Sequence, residues 1–184
     1  FAPILSGSVA GYMLGLVGGS TFVIASCIAI SQRNAKKVLA YSTIANLGLI
    51  VACAGIGTYQ AIWAAVMLII FHAVAKALLF LGVGCVEHGI GSRDIEDMNG
   101  LVIRMPYVSA MLAIGIAGMF LAPFGMLISK WAAIEAFLQA PFGLLFVSLL
   151  AYGSAVTVFF WTKWLGRIIA ITPPEDVVEG ILTR

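Results

Sequence analysis

The chain has 184 residues, of which 62% are hydrophobic and 10% are charged, and its mean hydropathy is +1.09. A soluble domain carries about 25% charged and about 45–50% apolar residues, so this composition excludes an ordinary soluble protein and indicates an integral membrane protein. The net charge of +2 and the lack of a long basic run give no reason to expect a nucleic-acid partner. Because the chain begins with Phe1 rather than methionine, we expect a fragment of a longer protein.

Five apolar segments predict an all-α protein that crosses the lipid bilayer about five times. The first segment covers residues 6–30, and glycine recurs in it every four residues. Glycines at this spacing lie on one side of a helix and let a second helix backbone approach closely, so we expect a packing face rather than a chemical site. The glycines of this predicted ridge are Gly7, Gly11, Gly15 and Gly19.

The second apolar segment, residues 38–56, opens with polar side chains. Ser42 and Asn46 are four residues apart, so they share one helical face and can form hydrogen bonds to a neighbouring helix. A short turn near Gly57 leads into the third segment, residues 60–86, which predicts that the second and third helices are antiparallel neighbours.

The third segment carries a lysine near its middle, Lys76, and a histidine four residues earlier, His72. Burying a cation in hydrocarbon costs about 2.5–3.5 kcal/mol on insertion scales, so such residues usually have a function. The spacing places both side chains on one face, one turn apart, which predicts a path for protons. The structural alternatives are a Lys76 paired with a carboxylate elsewhere in the longer protein and a His72 that is a hydrogen-bonded core residue.

The fourth segment, Pro106–Leu138, is apolar throughout and too long for one straight span. At about 1.5 Å per residue it would be roughly 50 Å long, against a hydrocarbon core of about 30 Å. Pro123 removes a backbone donor, and Gly125 follows it closely, so we predict a broken helix near Pro123–Gly125. Such a break persists in a membrane where protein or water satisfies the freed backbone groups.

A second intramembrane lysine, Lys130, lies one to two turns after this predicted break and is preceded by Ser129. About ten residues separate it from the outer turn, which is too far for its ammonium to reach the membrane surface easily. Glu135 is five residues further on, about 140° round the helix, and is poorly placed for a direct pair with Lys130. It is either a solvated residue at the helix end or a group through which protons enter or leave.

The fifth segment, Gly143–Ile169, ends in Trp161 and Trp164 interleaved with basic residues, which predicts an aromatic and basic belt at the membrane surface. A mildly acidic tail over residues 172–184 follows and is expected to lie at the surface. If the five helices alternate, all the basic residues outside the spans fall on one side, which we expect to face the cytoplasm. These residues are Arg33, Lys36, Lys37, Arg93, Arg104, Lys163, Arg167 and Arg184.

No pattern in the chain indicates a cofactor or a metal. The cysteines stand alone in apolar segments without a CxxC spacing, which argues against a disulfide framework, zinc or an iron–sulfur cluster. The sequence Gly89-Ile90-Gly91 lies in the polar connection over residues 87–104, but no strand precedes it, so it is a weak indication of a nucleotide site. Any redox chemistry would therefore belong to a partner.

Several motifs, taken in order, resemble the antiporter-like proton-translocating subunits of respiratory complex I, multisubunit sodium/proton antiporters and membrane-bound energy-converting hydrogenases. The motifs cover nearly the whole chain: residues 35–43 (AKKVLAYST), 72–81 (HAVAKALLFL), 97–101 (DMNGL) with 104–106 (RMP), and Ser129-Lys130. Residues 121–126 (LAPFGM) and 129–131 (SKW) look most like the hydrogenase and formate-hydrogenlyase type.

The resemblance implies that residues 1–184 form a single membrane domain, the second of two inverted five-helix repeats. Lys76 falls on the central channel lysine of the family, His72 on the histidine one turn before it, and Lys130 on the terminal lysine of the broken helix. Some members carry a further histidine where this chain has Leu68, which puts a relay made of histidines alone in doubt. Gln32 and Asn34 also stand where an acidic residue often precedes the basic pair.

The function implied is proton translocation by a subunit without a catalytic centre, in a redox-driven complex in the cell inner membrane. Its expected partners are other membrane subunits and a peripheral redox arm. The expected proton relay is Lys76, Lys130 and His72, with Glu135, Ser129, Ser42 and Asn46 as accessory groups. A cation/proton antiporter subunit without a redox partner and a structural membrane anchor are the alternatives.

Overall fold

The computed structural model describes residues 2–120 and 125–170, and these residues form helices joined by short connections. In this part of the chain, five spans are long and apolar enough to cross a membrane, and the fourth of them runs from Pro106 to Leu138. The predicted all-α membrane fold with five spans is confirmed. The helices are α1 (Ala2–Leu5), α2 (Val9–Ser31), α3 (Ala35–Ile56), α4 (Tyr59–Ile90), α5 (Leu101–Arg104), α6 (Pro106–Phe120), α7 (Gly125–Leu138) and α8 (Gly143–Ile169).

Polar side chains fix where the first three long helices begin. The Ser8, Asn34 and Thr58 side chains each accept a hydrogen bond from a backbone N–H in the first turn of α2, α3 and α4. These caps satisfy donors that have no partner within the helix. The cap at Asn34 explains why α3 begins at Ala35, three residues before the predicted start.

The helix α4 is one turn longer than the predicted segment, residues 60–86. It has 32 residues and is capped by Gly91, which adopts a left-handed conformation with a φ of 73°. At about 1.5 Å per residue this length exceeds a hydrocarbon core of about 30 Å, so the polar last turn extends beyond the core. Glu87 lies in this turn, and its carboxylate forms ion pairs with Lys36 and Arg93.

Glycines bring α2 and α3 into close contact. A Cβ atom on Gly18 would lie 2.5 Å from the carbonyl oxygen of Gly48, and one on Gly11 would lie 2.5 Å from that of Gly55. The predicted ridge is therefore a packing face, although its membership differs from the prediction. Gly7 lies in the turn before α2 with a φ of 73°, and Gly18 takes part instead.

Replacing Gly48 with alanine should destabilise the membrane domain by about 1–3 kcal/mol, because the new methyl group would press on the α2 backbone. Its Cβ would lie 2.7 Å from the Gly18 carbonyl oxygen and 2.9 Å from the Phe22 nitrogen. Gly84→Ala is the matched control, since no described atom lies within 4 Å of a Cβ atom there. The thermal unfolding midpoint of the full-length protein in detergent is the measurement. Equal midpoints for the two variants would contradict the close packing.

The fourth span consists of α6 and α7. The predicted break near Pro123–Gly125 falls mainly on residues 121–124, so Pro123 lies outside the described residues. The helix α7 begins at Gly125, and a Cβ atom there would lie within 2.2–2.3 Å of three atoms of the Phe71 ring. Because only a glycine leaves room for this ring, α7 begins pressed against α4 next to His72.

The basic connections meet at one end of the helices, as predicted. Asn34 and Asp94 form an antiparallel bridge between the connections that follow α2 and α4. The Ala35 N–H donates to the Arg93 carbonyl at 2.9 Å, and the Ile95 N–H donates to the Arg33 carbonyl at 2.9 Å. This end of the molecule is therefore tied together by backbone hydrogen bonds as well as by ion pairs.

Candidate functional site: two buried lysines

The first intramembrane lysine, Lys76, is buried between α3 and α4, with 6% of its surface exposed. Its ammonium donates a hydrogen bond to the Leu39 carbonyl oxygen at 2.8 Å and another to the Ser42 Oγ. The Ser42 hydroxyl in turn donates to the same carbonyl at 3.0 Å, so its lone pairs remain free to accept from Lys76. The predicted accessory residue Ser42 thus contacts the lysine directly.

The ring of Trp161, on α8, covers Lys76 from a different side. The Lys76 Nζ lies 5.2 Å from the ring centroid, within the range of a cation–π interaction. The ion pairs found within residues 2–120 and 125–170 include neither Lys76 nor Lys130. In this part of the chain, neutral oxygens and an aromatic ring therefore surround the Lys76 ammonium in place of a carboxylate.

The second lysine, Lys130, is equally buried, with 6% of its surface exposed, and lies on α7. Its Nζ donates to the Thr157 Oγ1 at 3.3 Å and lies 5.8 Å from the centre of the Phe22 ring. The Thr157 hydroxyl donates its own proton to the Ser154 carbonyl at 2.7 Å, which leaves its lone pairs for the lysine. Lys130 therefore has the same kind of neutral surroundings as Lys76.

The imidazole of His72 is buried on α4, one turn before Lys76, with 7% of its surface exposed. The ring lies on the same helical face as Lys76, and its neighbour Phe71 contacts the first residue of α7, Gly125. Neither ring nitrogen forms a hydrogen bond to any residue that the structure describes. Within this part of the chain, His72 therefore does not fit the structural alternative of a core histidine held by hydrogen bonds.

Asn46 extends the polar face of α3 by one turn beyond Ser42. Its amide nitrogen donates to the Ser42 carbonyl at 2.8 Å, while its buried Oδ1 has no hydrogen-bond partner among the described residues. Since α3 and α4 are antiparallel and Ser42 contacts Lys76, one further turn on each helix puts Asn46 at the level of His72. The four polar residues predicted on these two helices therefore form two adjacent levels.

The remaining predicted accessory groups, Ser129 and Glu135, both lie on α7. The Ser129 hydroxyl donates to the Gly125 carbonyl at 2.7 Å, within the first turn of α7. Glu135 is exposed near the end of the same helix. No hydrogen bond or ion pair within the described ranges joins either residue to Lys130, as expected for Glu135 from its position round the helix.

The contacts of both lysines with α8 were not predicted, and the predicted role of two tryptophans there was wrong. Trp161 and Trp164 are buried, each with 1% of its surface exposed, so neither belongs to a surface belt. The basic residues of the predicted belt, Lys163 and Arg167, are exposed. Thr157 and Trp161 are four residues apart, and this helical spacing on the fifth segment is the signal that could have revealed an inward face.

The chain matches, over residues 1–157, the protein family described as "NADH:quinone oxidoreductase/Mrp antiporter, TM". It is 32% identical over 183 residues to a probable K(+)/H(+) antiporter subunit of Rhizobium meliloti (strain 1021), covering 96% of this chain and 18% of that protein. It is also 32% identical over 173 residues to NADH-ubiquinone oxidoreductase chain 5 of Schizophyllum commune, covering 92% of this chain and 25% of that protein.

A solved structure of an Mrp complex from Dietzia sp. DQ12-45-1b contains a similar fold, with a TM-score of 0.79 and 30% identity over 88% of this chain and 19% of the matched chain. The chain thus spans 18% to 25% of the length of these proteins. The family match itself covers most of the 184 residues and includes both lysines and His72. The chain belongs to the NADH:quinone oxidoreductase/Mrp antiporter transmembrane family, as its motifs predicted.

Proposed function

We propose that this chain carries a proton-translocating relay within an antiporter-like subunit of a multi-subunit membrane complex. Lys76, His72 and Lys130 are the groups that bind and release the proton. The observation that carries the proposal is the presence of two buried lysines whose hydrogen-bond acceptors, among the described residues, are neutral oxygens.

Neutral acceptors suit a lysine that must lose its proton. If a buried lysine is paired with a carboxylate, loss of the lysine proton leaves an unpaired buried anion, which is strongly unfavourable. The Leu39 carbonyl and the Ser42 and Thr157 hydroxyls carry no charge, so no buried anion remains when the amine is neutral. A structural anchor has no need of such an arrangement, because an apolar residue would occupy the same position at lower cost.

The proposed path runs from Lys76 through His72 to Lys130. His72 supports this order because it is buried one turn from Lys76 on α4, beside Phe71, whose ring contacts the first residue of α7. Asn46 and Ser42 are the accessory groups on α3, where they can orient water or hold the Lys76 head group. Glu135 is proposed as a group through which protons enter or leave, since it is exposed near the end of α7.

We place the chain in the second inverted five-helix repeat of the full-length subunit, with the first repeat upstream. The short share of each relative that the chain covers is consistent with this position. The basic end, tied together through Asn34 and Asp94, is proposed to face the cytoplasm in the cell inner membrane, because basic residues are enriched on that side. Neighbouring membrane subunits of the same complex are the proposed partners.

Two energy sources fit this relay. A redox-driven complex with a peripheral redox arm is our first candidate, and the relative named NADH-ubiquinone oxidoreductase chain 5 supports it. The hydrogenase type suggested by residues 121–126 and 129–131 stays a prediction, and residues 121–124 lie outside the described residues. Cation/proton exchange is the second candidate, supported by the similar Mrp complex and by the relative named as a probable K(+)/H(+) antiporter subunit.

The test is proton movement in vesicles that contain the intact complex and a pH-sensitive dye. We expect either an electron donor (NADH or reduced ferredoxin) or an imposed Na⁺ or K⁺ gradient to drive proton movement, and the driver identifies the complex. Lys76→Ala and Lys130→Ala should each abolish this movement while the complex still assembles. Normal proton movement in both assembled variants would contradict the proposed function, whichever driver is active.

A further inference from the structure

A single face of α8 contacts both buried lysines. Thr157 accepts the hydrogen bond from Lys130, and the Trp161 ring lies 5.2 Å from the Lys76 ammonium. These two α8 residues are one helical turn apart, although the lysines belong to different helices, α7 and α4. Two residues about 6 Å apart along the α8 axis therefore contact the two lysine head groups.

The Trp161 ring is fixed in place by aromatic neighbours. It stacks on Trp164 with ring centres 5.8 Å apart and an angle of 13° between the planes, and it also packs on Phe160 at 5.0 Å. The Trp164 Nε1–H in turn points to the Met98 sulfur at 3.4 Å, in the connection at the basic end. Because these contacts hold both indole rings, Trp161 presents a constant ring surface to Lys76.

We propose that Trp161 is a positioning residue for proton transfer, which holds the charged form of Lys76 beside Leu39 and Ser42 and releases the neutral form. This inference rests on the proposed function. The negative face of an indole ring attracts an ammonium and has no comparable attraction for a neutral amine. Proton loss therefore weakens the contact with Trp161, and the freed side chain can turn along α4 toward His72.

The competing explanation is that Trp161 is a large core residue that merely fills space. Two substitutions give a first comparison, because phenylalanine keeps an aromatic face and leucine does not. We expect Trp161→Phe to retain most of the proton-pumping rate and Trp161→Leu to lose most of it in complexes that assemble equally well. Equal losses in the two variants would favour space filling and would overturn the positioning role.

The decisive experiment changes the charge distribution of the ring and leaves its size nearly constant. Tryptophans with one to four ring fluorines are incorporated at position 161 in the intact complex, and the initial rate of proton movement into vesicles is measured. Fluorine withdraws electron density from the ring face, so the rate should fall stepwise, by roughly five-fold in total. This series also remains informative if Trp161→Leu fails to assemble.

The same fluorinated series at Trp63 is the matched control. Trp63 lies on α4, 51% exposed, and forms an edge-to-face pair with Tyr59 at 6.2 Å, remote from the lysines in sequence. We expect no dependence on fluorine number there. A flat series at position 161, with Lys76→Ala inactive, would overturn the role of Trp161 alone. An active Lys76→Ala complex would overturn the proposed function on which it rests.

Discussion

Lys76→Arg should abolish proton movement almost as completely as Lys76→Ala, although it preserves the positive charge. A guanidinium stays protonated throughout the pH range in which proteins function, so it cannot take part in a step that requires proton loss. We expect a reduction of at least about 100-fold in the pumping rate, because the guanidinium does not release the proton that the next group must receive. The measurement is the initial rate in vesicles, normalised to the amount of assembled complex.

The same variant separates the relay from a structural cation. A cation that only stabilises packing would tolerate arginine well, since its charge and its contact with the Trp161 ring would survive. The control is Lys37→Arg, because Lys37 is exposed at the basic end and lies outside the buried site. Pumping at the control rate in assembled Lys76→Arg complexes would favour the anchor function.

Lys130→Met should stop proton movement and leave the protein as stable as before or more stable. Methionine removes a buried charge whose insertion costs about 2.5–3.5 kcal/mol, against a lost hydrogen bond that contributes about 1 kcal/mol. Its thioether fits beside the Phe22 ring, which lies 5.8 Å from the lysine nitrogen. Thr157 loses no donor interaction, because its hydroxyl proton remains bonded to the Ser154 carbonyl.

Two measurements on the same sample test this variant, namely the thermal unfolding midpoint and the rate of proton movement. Lys37→Met is the control for stability, since removing an exposed charge should change the midpoint little. A large fall in the midpoint of Lys130→Met would show that the lysine is a structural residue. A normal pumping rate would show that the proton bypasses α7.

The spans and the buried lysines were predictable because the membrane makes hydropathy and charge unusually informative. The fifth segment, Gly143–Ile169, has the predicted bounds, and an ammonium within an apolar run is costly enough to stand out in any sequence. Helix ends were less predictable. The last turn of α4 is polar, and it remains helical because Glu87 pairs with Lys36 and Arg93 from other parts of the chain.

The surroundings of the lysines could be predicted only in part. Ser42 was a candidate because it shares a helical face with Asn46, and that face points to α4. Thr157 and Trp161 are ordinary residues in an apolar helix, and their role depends on how α8 packs against α4 and α7. From the sequence, a tryptophan near a basic helix end such as Trp161 fits a surface belt as well as a buried site. Only the burial of Trp161 in the structure distinguishes the two positions.

Methylated lysines at position 76 test most directly whether Lys76 must release its proton. Nε-dimethyllysine still binds and releases a proton, whereas Nε-trimethyllysine is a permanent cation that is larger by one methyl group. Both keep the positive charge that faces Trp161. We predict that the assembled complex moves protons with dimethyllysine and fails with trimethyllysine. Equal rates of proton movement with the two residues would contradict a titrating Lys76.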